Sequence, residues 1–149
     1  MSIAVAFVLT LAGVLPSRVP PPLTRSDVAM GAALVCAEAR GASPLERRAV
    51  AGVVRNRVER LGRSVAAVVR ARRQFAPLCP RRMVEPSHAV DFVAGWFGLA
   101  MPAWWSAEVW AFQTHRSMRR GGGRVWRDVY GWRRVDAGRL LHTFWEGSP

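Results

Sequence analysis

The chain has no lysine. All 22 of its cationic residues are arginine, against only ten acidic residues, so the formal net charge is +12. A lysine-free composition rich in Ala, Val, Arg and Gly is the mark of a GC-rich genome more than of a mechanism. The charge has physical consequences all the same, because it draws the protein towards polyanions such as nucleic acid, anionic lipid and anionic cell-wall polymers. Charge alone does not choose among these. Histidine is scarce: His88, His115 and His142 are far apart, and no Cys/His set has zinc-site spacing, so neither a metal nor another cofactor is expected. There are two cysteines, Cys36 and Cys79. They are compatible with one disulfide in an exported protein. Equally, Cys36 on a buried helix can act as a small hydrophobe.

No apolar run is long enough for an ordinary transmembrane helix, which needs about 20 residues. The one long run, Ile3 to Leu15, ends at Pro16 and is followed by Pro20-Pro21-Pro22. Its length suits the hydrophobic region of a signal peptide, although no cation precedes it and no clear A-x-A site follows. Export to the periplasm or cell wall, or membrane contact through residues 3–15 as a short anchor, is the leading expectation. The alternatives are a misplaced start or a buried helix. Half of the residues are apolar, which excludes disorder throughout. The length fits one domain. The division expected is residues 1–23 as the apolar segment and Pro-rich linker, and residues 24–149 as a single domain.

Along that domain, Ser26 or Asp27 can cap a helix running to about Arg40, with Val28, Ala32, Val35 and Ala39 as its inner stripe. Gly41 then serves as a stop and Pro44 suits the first turn of the next helix. The second helix, about Pro44 to Leu61, has a wide apolar face of Ala49, Val50, Val53, Val54, Val58 and Leu61. Val65 to Val69 reads as a third helix and Pro77 to Pro86 as a loop. Ala89 to Leu99 reads as a fourth helix, with Phe92, Trp96 and Leu99 in the core. Val109-Trp110-Ala111-Phe112 reads as a strand, Gly121-Gly122-Gly123 as a turn, and Arg139 to Trp145 as a final strand. Helices followed by a small β element make the expected class α+β.

One carboxylate stands out. Glu38 lies in the last turn of the first helix, with Leu34 and Val35 as its surface neighbours. Apolar neighbours and the negative end of the helix dipole both favour a protonated carboxyl, the form a general acid needs. Arg40, two residues on, falls on nearly the opposite face. On spacing alone a surface glutamate is the simpler reading.

Glu38-Ala39-Arg40-Gly41 is followed at short range by Ala49-Val50-Ala51-Gly52-Val53-Val54-Arg55-Asn56-Arg57-Val58. The pair resembles the E-A-R-G box and A-V-A-x-V-x-x-N-R-V helix of the cell-wall hydrolases typified by the spore-cortex-lytic enzymes (SleB/CwlJ type). Gln74-Phe75 is similar to that family's Q-F element, and Gly138 to Trp145 to its G-x-H-x-F-Y strand with one extra residue before His142. The resemblance spans roughly residues 28 to 145. It implies a lysozyme-like helical core and a glycosidase that cleaves the β-1,4 bond between N-acetylmuramic acid and N-acetylglucosamine in peptidoglycan, with Glu38 as general acid. Arg40, Asn56, Gln74, Phe75 and His142 are then expected to bind substrate or support the site: Asn56 by a hydrogen bond tying its helix to the Glu38 loop, and Gln74 and Phe75 along the sugar groove or in loop packing. His142 is expected foremost as a satisfied core histidine.

Most glycosidases use two carboxylates. Glu46 in a helix's first turn is simply stabilising there, and Asp128 and Asp136 lie in or beside loops, so no second acid has an evident role. A lytic transglycosylase, in which the sugar's own 6-hydroxyl attacks, is therefore favoured over hydrolysis. The chain departs from the family around residues 100 to 135. There the usual tyrosine-rich strand is replaced by Val109 to His115, and a basic glycine-rich stretch spans Arg119 to Arg124. Trp104, Trp105, Trp110, Trp126 and Trp132 can stack on sugars or fill the core.

The expected partners are peptidoglycan glycan strands and, through charge, anionic wall polymers. A nucleic-acid ligand is not expected, because the arginines are scattered along the chain and not gathered on one helix. A monomer is expected. Binding to an anionic wall polymer should weaken steeply as salt rises from about 0.05 to about 0.5 M; a sedimentation assay with purified wall polymer that showed salt-independent retention would count against a charge-driven contact.

Overall fold

The computed structural model describes residues 20–71, 74–114, 127 and 130–147. The apolar run at residues 3–15, the triple glycine, the basic stretch Arg119 to Arg124, and His115, Trp126 and Asp128 lie outside them. Among the described residues, four α-helices come first: α1 (Arg25–Ala39), α2 (Pro44–Leu61), α3 (Val65–Val69) and α4 (Pro86–Trp96). A 3-10 turn at Arg81–Met83 precedes α4. Three strands follow: β1 (Val109–Thr114), β2 (Arg133–Arg134) and β3 (His142–Glu146). The class is α+β. β3 lies between β1 and β2 in an antiparallel sheet, with Phe112 opposite Phe144 and Arg134 opposite Trp145.

Local chemistry sets the helix ends. The cap of α1 is Thr24, not Ser26 or Asp27. Its hydroxyl accepts from the Asp27 N–H, and Asp27 Oδ2 accepts from the Thr24 N–H. This reciprocal pair satisfies two donors at the helix start. Ser43 caps α2, with Pro44 in its first turn and Gly62 in the left-handed region at its end. Gly41 lies outside the left-handed region, so the break after α1 does not depend on that conformation. α4 starts and stops three residues earlier than its periodicity suggests. Pro86 sits in its first turn, and His88 Nδ1 accepts from the Glu85 N–H. Leu99 therefore lies beyond the helix and is exposed, whereas Phe92 and Trp96 are fully buried.

α2 is the central element. One side of it, through Ala51, Val54 and Val58, joins Leu34 and Val35 of α1, the valines of α3, and Phe92 and Trp96 of α4. The other side, through Ala49, Val50 and Val53, meets Val109 and Phe144 of the sheet, with Trp104 and Trp105 packed alongside. A helix buried on two sides needs the wide apolar face that its sequence carries. Ion pairs join α2 to α4: Arg47 Nε and Arg48 Nε both reach the buried Asp91 carboxylate, at 2.6 and 3.2 Å.

α2 and α4 approach closely at Gly95 on α4. A Cβ there would collide with the Arg48 carbonyl oxygen and the Ala51 methyl on α2. Because one of these is backbone, the helices themselves must part. Gly95→Ala should therefore cost about 1–3 kcal/mol despite the better helix propensity of alanine. Thermal denaturation checks this, and an unchanged or raised melting temperature would refute the close-packing account.

Candidate active site

Glu38 is half-buried at the end of α1, where Leu34 and Val35 behind it are wholly buried. Its Oε1 accepts a short hydrogen bond from the backbone N–H of Ala76, 2.5 Å away. Its other oxygen makes no hydrogen bond among the described residues. Holding one carboxylate oxygen while leaving the second open suits a group that must pass a proton.

The Ala76 segment is fixed to α1 beside Glu38. Cys36, two residues before Glu38, is joined to Cys79 in a disulfide with a Cα–Cα distance of 5.9 Å. The Cys79 N–H also donates to the Ala33 carbonyl at 3.3 Å. Of the two roles open to Cys36, the bridge is the one found.

Arg57 lies on the other side of this segment. It is 7% exposed, and its Nε donates to the Trp110 carbonyl at 2.9 Å while its Nη1 donates to Gln74 Oε1 at 3.0 Å. Its guanidinium lies over the Phe75 ring at 5.0 Å and the Trp110 ring at 5.6 Å. Burial pushes its pKa down to about 10, with the Glu38 charge pulling the other way. It therefore remains a cation at neutral pH. Gln74, Phe75 and Ala76 thus each meet a partner: the Arg57 donor, the Arg57 face and the Glu38 carboxylate.

Arg57 and Gln74 also form part of a cleft of about 440 Å³. Its other walls include Arg63, Trp110, Phe112, Tyr130 and Trp132. Glu38 is not among the lining residues, but its charge acts on Arg57, which is. The cleft combines aromatic faces with guanidinium donors, a combination that suits stacking on sugar rings and hydrogen bonding to their substituents.

The remaining site residues expected from sequence are placed differently. Asn56 is buried, and its amide donates to the carbonyls of Val109 at 2.8 Å and Ser106 at 3.4 Å. It ties α2 to the start of β1, not to the Glu38 loop, because it projects towards the sheet side. Arg40 is exposed and makes no ion pair among the described residues. Trp104 and Trp105 pack on the sheet-side core.

His142 is buried in the first position of β3. Its Nδ1 lies 2.7 Å from Glu46 Oε1, and its backbone N–H donates to the same oxygen at 2.8 Å. Glu46 is therefore not merely a stabilising first-turn charge but half of a buried pair, 2% exposed beside a histidine 4% exposed. Sequence reasoning missed this pair. The only signal was a Glu one turn before Ala49 and Val50, on the apolar side of α2.

Burial pushes the Glu46 carboxyl up, but the hydrogen bonds from the His142 ring and from the Leu141 and His142 backbone outweigh it. The net direction is below the ordinary carboxylate value of 4.5. A carboxyl lowered in the folded state stabilises the fold above its unfolded pKa, and that contribution is lost as pH falls through the folded value. Glu46→Gln should thus destabilise the protein by about 1–3 kcal/mol at pH 7. The deficit should shrink at about pH 3. Urea melts of both proteins at the two pH values test this; a deficit that persists undiminished in acid would remove the Glu46 carboxylate charge as its source.

In comparison with known proteins, the chain matches no family model, no curated protein and no solved structure.

Proposed function

We propose that the protein is a peptidoglycan-cleaving glycosidase of the lytic transglycosylase kind, with Glu38 as its acid. The observation that carries this reading is Glu38 itself: a half-buried carboxylate with one oxygen held by the Ala76 N–H and the other without a hydrogen bond among the described residues. It stands in the E-A-R-G box through which the sequence resembles the spore-cortex-lytic hydrolases. In the reaction, Glu38 protonates the oxygen of the β-1,4 bond as it leaves muramic-acid C1. The muramic 6-hydroxyl attacks C1 from within the same sugar, and its proton passes to the Glu38 carboxylate. One C–O bond breaks and one forms, no water is consumed, and the acid is regenerated.

Three of the other carboxylates already have partners, which favours this single-acid scheme. Glu46 is committed to His142, Asp91 to Arg47 and Arg48, and Glu59 to Arg55. Hydrolysis would ask for a second carboxylate across the bond to activate water, and none of these three is open to do so. The aromatic and arginine-lined cleft offers stacking faces, and its Arg57 feels the Glu38 charge. The disulfide suits an oxidising compartment, in keeping with action in the periplasm or cell wall. The excess of arginine would hold the enzyme to anionic wall polymers.

Mass spectrometry of purified peptidoglycan digested with wild type and with Glu38→Gln tests the reading. Anhydromuramic-ended fragments are expected from the wild type, falling at least about a hundredfold in the variant. Reducing muramic ends would replace transglycosylation by hydrolysis. No fragments from folded wild-type protein would end the enzymatic reading on this substrate.

A further inference from the structure

Resting on the reading of Glu38 as the acid, we infer that the Cys36–Cys79 disulfide is the positioning element of the site, holding the Gln74–Cys79 segment on Glu38 so that catalysis depends on the bridge. The observation is one of placement. The bridge starts two residues before Glu38 on α1 and ends three residues after Ala76, whose N–H holds the carboxylate. Among the described residues, one backbone hydrogen bond, from Cys79 to Ala33, otherwise joins this end of the segment to α1. The segment carries few buried apolar anchors: Phe75 and Leu78 are half-buried, while Gln74, Ala76 and Pro77 are exposed. A surface segment with so little apolar burial is the kind that opens locally while the rest of a fold stays closed.

The helical and sheet cores do not use the bridge. Val50, Val53, Phe92 and Phe144 are buried among side chains of α1, α2, α4 and the sheet. Cutting the bridge therefore frees the segment before it frees the core. Three contacts would loosen together: the Ala76 N–H to Glu38, Gln74 to Arg57, and the Phe75 ring beneath Arg57. The Glu38 carboxylate would lose its fixed orientation while remaining in place on α1.

The cutting step needs a dithiol reductant. Its two thiols give two electrons and two protons to the Cys36–Cys79 bond, which becomes two thiols, and the reductant leaves as its own disulfide. In a reducing compartment the site would be slack, and in an oxidising one it would be set. The bridge would thus keep the activity confined to the outside of the cell membrane.

Backbone amide hydrogen exchange, read residue by residue by NMR, tests this on the oxidised protein, on the same protein treated with dithiothreitol, and on the Cys36→Ala/Cys79→Ala variant. The Ala76 amide should exchange about tenfold faster or more without the bridge, while those of Val50, Val53 and Phe92 change little. Muropeptide release by the same three samples should show kcat falling about a hundredfold with KM little changed. Equal Ala76 protection with and without the bridge would overturn the inference, as would full activity of the reduced protein. Loss of protection throughout the core would also overturn it, since the bridge would then be a staple of the whole fold. If the oxidised wild type releases no fragments, the reading of Glu38 fails and the dependence of catalysis on the bridge falls with it, while the exchange data still decide whether the segment is held by the bridge.

Discussion

Two adjacent side chains on α2, Asn56 and Arg57, donate to two adjacent carbonyls, Val109 and Trp110, at the irregular start of β1. Pairing with β3 shifts register between Val109 and Ala111, so this is the point where the regular ladder is interrupted. A bulge leaves backbone groups without ladder partners, and buried carbonyls need donors. The helix supplies them. Arg60 extends the seam one turn on, donating to the carbonyls of Ala107 and Gly147. The angle at which the sheet meets the helical part is set by these donors as much as by apolar packing. Arg57 could not reach Gln74 and the neighbourhood of Glu38 without that fixed origin.

Much of the helical part was legible because its signals are local. Pro44 and the valine stripe mark α2 within a single stretch of chain, and the observed bounds agree with the expected ones. The first helix was displaced at its start because Thr24 and Ser26 offer similar caps, and only the reciprocal bond with Asp27 separates them. The sheet was less legible. β3 begins at His142, three residues later than expected, and the two-residue β2 carries no alternation to read. What fixes both is pairing, which is not local.

The same division runs through the site. Glu38 was singled out by position on its helix and by the E-A-R-G box. Its hold on Ala76 joins residues 38 apart in the chain, and the Glu46–His142 pair joins residues 96 apart. Neither spacing carries a periodic signal. Asn56 shows the limit of reading from motif position: its structural role was foreseeable from its place at the edge of an apolar face, whereas its partner depended on where the sheet lay. Under the proposed function, these long-range contacts allow a single carboxylate to act without a second acid beside it.

The sheet also governs how the protein meets copies of itself. Its β2 edge is only two residues long and consists of Arg133 and Arg134. Arg133 is largely exposed and bonded to Glu146 on the neighbouring strand. A short, cationic edge is a poor template for another strand, because an incoming copy would bring its own arginines into register. At the β1 side, side chains of α2 already occupy the carbonyls at the bulge. Among the described residues, the β2 edge is thus short and charged, and the carbonyls at the start of β1 are already bonded. Adding a strand at either place would first have to displace an ion pair or a side-chain hydrogen bond already made.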